Sequence, residues 1–254
     1  MALNCLQFAS CGSCWNTPRE PPLTPFPHCI AGKRPNAAWM GDLVKSEAKH
    51  GVKSSNRVTL KRLIIPGSHD SASYSIPKSV PFSAIGRTQN LTIREQLLSG
   101  IRFFDLRIAS GRNCEGVNIY HGRLMGAPFE EILNDISCFC KEFPTEFVVL
   151  LVAAEYGRPF TPESKVMTLN MLRSHLGSLD DKVEDRLLCK VDSRNDLVNT
   201  PLEDLIKKKG RVFVLLSSRF FNDFFINGVQ ADKEYVRSVY GFFDCMQWLR
   251  NKWQ

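Results

Sequence analysis

The chain has 254 residues, 43% of them hydrophobic, so it is long enough to bury one sizeable core. No apolar run approaches the roughly 18–20 residues that a membrane-spanning helix needs, and the first residues lack the basic region of a secretory signal. We therefore expect an intracellular protein. The nine cysteines are odd in number and irregularly spaced, which favours reduced thiols over a disulfide framework.

The net charge of +7 is concentrated near the N-terminus. Residues 1–62 carry nine Lys and Arg side chains against three acidic ones, a difference of six. A basic flank beside a nearly neutral body fits an anionic membrane surface or an acidic ligand, and a solvated basic tail fits equally well. We predict peripheral contact with the cytoplasmic face of a membrane through this segment, a monomer, and no nucleic-acid partner.

Residues 1–36 form a segment rich in Cys and Pro, with five prolines from position 18 to position 27. This density favours extended, mobile backbone, so we predict a flexible segment at 1–36 and a folded domain at 37–254. Cys11 and Cys14 have CxxC spacing, but no second pair completes a zinc site, and unstructured thiols are the simpler interpretation. Together with Cys5 they are also candidates for S-acylation.

Strands and helices alternate through the rest of the chain, a pattern typical of a parallel α/β fold. The predicted strands lie at 63–66, 101–107, 117–122, 146–152, 211–216 and 224–226. The predicted helices are a short one around Trp39, then 92–100, 128–143, 161–177 and about 233–253. Thr92 with Glu95 three residues later forms a capping box. We expect a TIM-type (β/α) barrel that is incomplete at its C-terminus, with about six strands.

Polar side chains stand at the ends of three successive predicted strands. His69 and Asp70 follow the first strand, Asp105 and Arg107 end the second, and His121 ends the third. In α/β barrels the carboxyl ends of the strands carry the chemistry, so this pattern predicts an enzyme. The alternative is structural: a histidine at a strand end and an ordinary Asp105–Arg107 ion pair.

These residue types suit one reaction class. Two histidines at separate strand ends can act as general base and general acid, because imidazole titrates near neutral pH. An arginine between them supplies a permanent charge and a planar fork that binds phosphoryl oxygens. Aspartates beside the histidines would fix their tautomers and hold the arginine. The set indicates in-line displacement at a phosphodiester without a metal or cofactor.

Three motifs resemble the X domain of phosphatidylinositol-specific phospholipases C. They are Gly67-Ser68-His69-Asp70-Ser71, Gly100-Ile101-Arg102-Phe103-Phe104-Asp105-Leu106-Arg107 and Tyr120-His121-Gly122. The resemblance is closest to the small single-domain enzymes of bacteria and trypanosomes and to X-domain-containing proteins. It implies an enzyme that cleaves phosphatidylinositol, or a glycosylated form of it, to diacylglycerol and a cyclic inositol phosphate.

The resemblance also implies a role for each residue. His69 would take the proton of the inositol 2-hydroxyl, and His121, assisted by Asp70, would protonate the leaving diacylglycerol oxygen. Arg107 would neutralise charge on the phosphorane, and Asp105 would hold Arg107 or a histidine. In the calcium-dependent members an acidic residue occupies the Arg107 position, so arginine implies no calcium.

Substrate contacts are expected from Gln89, Glu155 and Arg219. Gln89 lies in a segment similar to the glycosylphosphatidylinositol-cleaving type, while Ala153 and Ala154 precede Glu155 where bacterial relatives have a substrate lysine. Arg219 is the nearest candidate for a phosphate-binding arginine after the fifth strand.

The chain ends at Gln254, before the two further strands that a full barrel needs and before the family's aspartate that partners the base. A fragment or a degenerate relative that binds inositol lipid without turnover is therefore an alternative. A metal-dependent glycerophosphodiesterase is a weaker one, because the metal-binding acidic residues of that class are not found at these strand ends.

Overall fold

The computed structural model describes residues 36–53, 57–177, 182, 186–217 and 220, and the backbone of 225–226, 229–230 and 243–244. The predicted flexible segment up to residue 35 lies outside this part of the chain, and so does Arg219. None of the helices within the described residues is both long enough and apolar enough to cross a membrane.

The described elements form a mixed α/β fold. The helices are α1 (Trp39–Lys49), α2 (Ser83–Gly86), α3 (Ile93–Leu98), α4 (Phe129–Glu142), α5 (Pro162–Leu176), α6 (Arg194–Asn199) and α7 (Leu202–Asp204), which continues into a π-helical turn at Leu205–Lys209. The strands are β1 (Gly67–Ser68), β2 (Phe103–Ser110), β3 (Val117–His121), β4 (Leu124–Pro128), β5 (Val148–Ala154), β6 (Val212–Leu216), β7 (Phe225–Ile226), β8 (Val229–Gln230) and β9 (Phe243–Asp244).

Seven of these strands make one sheet, and the sheet is open among the described residues. Strands β1, β2, β5, β6 and β9 are parallel and neighbour one another in that order. Strand β3 pairs antiparallel with β2, and β4 pairs antiparallel with β3. The parallel α/β expectation is therefore confirmed for five strands, while closure into a barrel is not shown.

Local sequence signals correctly marked the starts of α3, α4 and α5. The predicted capping box is present: Thr92 caps α3 by accepting from the Glu95 amide, and the Glu95 carboxylate accepts from the Thr92 amide. Thr161 caps α5 in the same way through the Ser164 amide, and Pro128 precedes α4. Side chains and fixed φ angles decide such ends within one turn, so sequence spacing is enough to find them.

The first predicted strand is wrong at 63–66. Leu60–Arg62 form a 3-10 turn, Ile64 is 67% exposed, and the paired strand begins only at Gly67. Pro66 has no amide proton for the ladder, and its carbonyl accepts from the amides of both Arg102 and Phe103. The apolar residues 63–66 therefore precede β1 and are not part of a strand.

The direction of β3 also differs from the expectation of a parallel strand. The link 111–116 between β2 and β3 is far shorter than the dozen or more residues that a parallel crossover requires. β3 therefore returns antiparallel to β2, with Ser110 opposite Val117 and Ile108 opposite Ile119.

The C-terminal expectations need two corrections. Phe225–Ile226 is a strand, but it pairs with Val229–Gln230 in a separate two-stranded sheet. Phe243–Asp244 pairs in parallel with β6, so a helix over 233–253 is wrong at these two residues. The other residues of that predicted helix lie outside the described part of the chain.

The sheet separates two apolar clusters because side chains alternate along each strand. Phe104, Leu106 and Ile108 of β2 pack in the larger cluster with side chains of α3, α4 and α5. Phe103 and Phe213 lie in the smaller cluster on the other face, with side chains of α1 and α7. Asp105 and Arg107 follow Phe103 at every second position, so they share the face of the smaller cluster.

A fully buried ion pair joins the starts of β2 and β5. The guanidinium of Arg102 donates to Glu146 Oε2 from Nη2 at 2.7 Å and from Nε at 3.0 Å, and both side chains are 0% exposed. Arg102 also donates to the carbonyls of Leu97 and Ala37, and Glu146 accepts from the Gly41 amide at the start of α1. This ion pair therefore links α1 and α3 to the starts of β2 and β5.

We predict that Glu146→Gln destabilises the protein by about 3–5 kcal/mol, because it leaves the buried Arg102 charge without a counter-ion. Urea unfolding followed by circular dichroism measures this. Glu142→Gln, which removes an exposed ion pair with Arg94, is the matched control and should cost about 0–1 kcal/mol. Equal effects of the two substitutions would contradict the assignment.

Candidate active site

The C-terminal ends of β1 and β3 meet along one edge of β2. β5 occupies the other edge, so β1 and β3 must share this one: β1 pairs with Phe103 and Phe104, and β3 pairs with Ile108 to Ser110. β1 runs parallel and β3 antiparallel, so their C-terminal ends point towards each other at the middle of β2. This convergence brings His69 and Asp70 to His121, beside Asp105 and Arg107.

Asp105 holds two of the predicted functional side chains. Arg107 binds it with a two-pronged contact, Nε to Oδ1 at 2.9 Å and Nη2 to Oδ2 at 3.0 Å. His69 Nδ1 lies 2.8 Å from Oδ2, and a carboxylate can only accept, so Nδ1 carries the proton of this bond. Asp105 is 6% exposed, which keeps water from competing with these bonds.

Asp70 lies between the two histidines. Its Oδ2 is 3.1 Å from His69 Nε2 and 3.5 Å from His121 Nε2. Its Oδ1 is 3.4 Å from Arg107 Nε and has no hydrogen-bond partner among the described residues. Asp70 is 4% exposed, and a buried carboxylate oxygen without a hydrogen bond is costly. It marks the place where a donor from a bound molecule would be favourable.

His121 is oriented by the neighbouring loop. Its Nδ1 donates to the carbonyl of Gly86, the last residue of α2, at 2.8 Å, which leaves Nε2 directed at Asp70. A Cβ at Gly86 would lie 2.3 Å from Leu124 Cδ1, so a larger residue there would require the Leu124 side chain to move. The ring of His121 is half-buried, and because a carbonyl can only accept, Nδ1 carries a proton.

Arg107 is a permanent cation in this cluster. Its hydrogen bonds to Asp105, reinforced by the charges of Asp105, Asp70 and Glu155, raise the pKa of the guanidinium above its ordinary value despite partial burial. The positive charge therefore does not vary over the physiological pH range. One third of the side chain stays exposed, so it can reach a ligand from the solvent side.

A metal ion is a second chemistry to test against these residues. His69, Asp70 and Asp105 offer ligand atoms within 4.8 Å of one another. Arg107 already binds Asp105 through two nitrogens and lies 3.4 Å from Asp70, so a cation would have to displace the guanidinium. Calcium also prefers about six to eight oxygen ligands, which one imidazole and two carboxylates do not supply. The donor set does not fit calcium.

Two of the three predicted substrate-contacting residues, Gln89 and Glu155, lie around this cluster. Gln89 donates from Nε2 to the His69 carbonyl at 2.9 Å. Glu155 follows β5, and its Oε1 accepts from the Gly122 amide at 2.8 Å, at the turn after His121. Both therefore contact the backbone of a histidine segment. Arg219 lies outside the described residues.

Sequence reasoning missed the side chains that hold the His69–Asp70 turn. Ser71 Oγ accepts from the Asp105 amide at 2.9 Å, and Gln96 bonds to both Ser68 and Ser71. A signal for Gln96 was present: it is a polar residue on the face of α3 that also carries the buried Ile93 and Leu97. The carbonyl of Gly86 had no such signal, because backbone groups are the same at every position.

The profile of the family described as "Phosphatidylinositol-specific phospholipase C, X domain" matches residues 63–195, just over half of the chain. All five clustered side chains lie within this range. The chain belongs to the phosphatidylinositol-specific phospholipase C X-domain family.

Relatives in this family include eukaryotic and bacterial proteins. PI-PLC X domain-containing protein 2 of Mus musculus is 36% identical over an alignment of 138 residues, and the match covers 45% of this chain and 38% of that protein. The 1-phosphatidylinositol phosphodiesterase of Staphylococcus aureus (strain Newman) is 31% identical over 120 residues, 46% of this chain and 34% of the other. The matches thus span well under half the length of these relatives.

A solved structure shares the fold. Phosphatidylinositol-specific phospholipase C from Listeria monocytogenes superposes with a TM-score of 0.52 at 21% identity, covering 76% of this chain and 60% of that one. At this identity the likeness concerns the fold alone.

Proposed function

We propose that the protein is a metal-independent phospholipase C that cleaves phosphatidylinositol, or a glycosylated form of it, to diacylglycerol and a cyclic inositol phosphate. The observation that carries the proposal is the cluster in which one carboxylate, Asp70, lies between two histidines while Arg107 faces the same carboxylate. Membership of the family supports the substrate class.

The proposed reaction is an internal displacement at phosphorus. His69 removes the proton of the inositol 2-hydroxyl, whose oxygen forms a bond to the neighbouring phosphorus. The bond from phosphorus to the glycerol oxygen breaks, and His121 protonates that oxygen. Because the nucleophile belongs to the same molecule, little entropy is lost on attack. The proton gained by His69 and the proton lost by His121 balance over the reaction.

Asp70 links the two steps. In the described geometry its Oδ2 is closer to His69 than to His121, by 3.1 Å against 3.5 Å. A substrate hydroxyl that takes the place of Asp70 at His69 Nε2 frees this oxygen to pair with His121. Binding of substrate would then prepare the base and the acid together.

Arg107 supplies the charge that a metal would otherwise supply. The guanidinium is fixed by Asp105 on one side, and its exposed part can donate to phosphoryl oxygens. A donor that is already oriented stabilises the extra negative charge of the transition state without reorganisation.

Helix α2 and the loop 71–90 that contains it form a rim beside His121. The composition of this rim supports contact with a lipid surface that carries the substrate. In α2 and at its cap, Phe82 is 77% exposed and Ile85 is 78% exposed, although large apolar side chains are costly in water. The loop 71–90 has Lys78 and Arg87 and no acidic residue. Arg87 donates to the carbonyls of Tyr74 and Ile76, which braces the loop. We propose that this rim and the basic N-terminal segment contact the membrane.

A role in binding inositol lipid without turnover is the second candidate. One observation favours it: both ring nitrogens of His69 face carboxylates, Nδ1 towards Asp105 and Nε2 towards Asp70. The nitrogen that would accept the substrate proton therefore already has a carboxylate partner. The two candidates differ only in whether cleavage occurs.

We predict that His69→Ala and His121→Ala each lower the rate by about 10²–10⁴-fold, the usual contribution of a general base or acid. Release of labelled cyclic inositol phosphate measures this, per mole of protein shown to be folded by circular dichroism. His175→Ala is the matched control, because that ring contacts Glu130 on the helical layer. Full activity of either site variant would exclude the assignment, and an inactive wild type would favour the binding role.

We predict that chelators leave cleavage intact and that Arg107→Lys lowers it by about 10²-fold, since a point charge cannot replace two directed donors. Arg94→Lys, at an exposed ion pair, is the control for an arginine-to-lysine change. Loss of wild-type activity in EGTA with recovery in added calcium would contradict metal independence.

We predict that Phe82→Ser with Ile85→Ser reduces cleavage in phosphatidylinositol–phosphatidylcholine vesicles by at least about tenfold, from lost apolar burial in lipid. Cleavage of a short-chain monomeric substrate should not change. Ile64→Ser, at a side chain that is 67% exposed before β1, is the matched control. Deleting residues 1–36 should weaken vesicle co-sedimentation at low salt only. Equal loss on both substrates would show damage to the site instead of lost membrane contact.

A further inference from the structure

We propose that Gln96 of α3 is a positioning residue that holds the His69–Asp70 turn in its working geometry. In this role Gln96 acts through the turn and does not contact the substrate. Its catalytic consequence rests on the proposed function, whereas its effect on the geometry of the turn can be measured without catalysis.

The turn needs to be held because its backbone is strained. Asp70 has φ +46°, in the left-handed region that side chains other than glycine rarely adopt. Such a backbone conformation is unfavourable for a residue with a side chain and persists only when its surroundings fix it. This conformation directs the Asp70 carboxylate towards His121 while His69 remains against Asp105. If the turn relaxed, the cluster would lose its shared carboxylate.

Gln96 bonds to both sides of the turn. Its Oε1 accepts from Ser68 Oγ at 2.7 Å, on the residue before His69. Its Nε2 donates to the carbonyl of Ser71 at 2.8 Å, on the residue after Asp70, and to the carbonyl of Leu91 at 2.8 Å. The side chain is 2% exposed, so these bonds face no competition from water. Gln96 therefore bridges the residues that flank the two functional side chains.

The same residues connect the turn to β2. Ser71 N donates to the Asp105 carbonyl at 2.9 Å, and Ser71 Oγ accepts from the Asp105 amide at 2.9 Å. Asp105 in turn accepts from His69 Nδ1. A chain of bonds thus runs from Gln96 through Ser71 and Asp105 to the His69 ring. Displacement of Ser71 would change the place where His69 meets its partner.

The chemistry of the site requires an amide. The position needs one acceptor for Ser68 and two donors for the carbonyls of Ser71 and Leu91, which a glutamine supplies and an ionised glutamate cannot. Methionine keeps the volume and loses all three bonds. Gln96→Met therefore removes the bridge with little change in packing.

The experiment measures the ring nitrogens of His69 by long-range 1H–15N correlation NMR at fixed pH, with assignments from His69→Ala and His121→Ala. In Gln96→Met we expect the His69 shifts to move to those of a mobile imidazole that shares its proton between both nitrogens. The His121 Nδ1 shift should keep its value, because that nitrogen bonds to the Gly86 carbonyl in another loop.

Thr168→Val is the control for loss of a buried hydrogen bond, since Thr168 Oγ1 donates to the Ser164 carbonyl within α5. It should leave the shifts of both histidines unchanged. Unchanged His69 shifts in folded Gln96→Met, or a changed His121 Nδ1 shift, would overturn the proposal. If Gln96→Met does not fold, Ser68→Ala removes one bond of the bridge and should move His69 in the same direction by less.

Activity supplies the second arm. Gln96→Met should lower kcat at least about tenfold with KM within about threefold, as expected when groups that act in the transition state are misplaced. Thr168→Val should keep the kcat of the folded protein. An unchanged kcat would contradict a positioning role. A wild type without cleavage would refute the proposed function and leave the NMR result to decide the role of Gln96.

Discussion

The buried pair of Arg102 and Glu146 is the constraint on which the described fold depends. A charge in a dry interior needs its partner and all of its hydrogen bonds, so the segments that supply these have to meet at one point. Those segments are the starts of β2 and β5, the start of α1 and the end of α3. Burial lowers the pKa of the Arg102 guanidinium below its ordinary value, although the Glu146 charge opposes this shift. Once β2 is anchored there, side-chain alternation places Asp105 and Arg107 together on one face.

The candidate active site follows from how one edge of β2 is shared. β1 pairs only with the first two residues of β2, and β3 pairs only with the last three. The gap between them is filled by His69 and Asp70, which follow β1, and by His121, the last residue of β3. A site formed in a gap of a sheet is held by backbone pairing on both flanks, which gives its side chains precise positions.

The charges within the cluster compensate one another. Two nearly buried carboxylates would repel each other if they stood alone, and here they face one guanidinium and two imidazoles. Because the guanidinium is a permanent cation, it compensates the carboxylates at every physiological pH. The two imidazoles carry the acid and base roles in the reaction proposed above.

Much of the fold and the site could be predicted from local sequence. Thr92 with Glu95, Pro128 before α4 and Thr161 before Pro162 marked helix ends, because a cap depends on residues within one turn. The runs in β2, β5 and β6 marked buried strands, because apolar side chains on both faces leave a continuous pattern. The motifs around His69, Asp105 and His121 indicated the family, and the family profile confirmed it.

The sequence alone therefore determined the class of fold, the family and the five candidate side chains. Only the tertiary structure decided that Asp70 is shared between His69 and His121, and that Gln96 and the Gly86 carbonyl hold the histidine segments. These features depend on contacts between residues far apart in the chain, such as Gln96 with Ser68 and His121 with Gly86. Such contacts leave no periodic pattern in the sequence, because their geometry exists only after the sheet has formed.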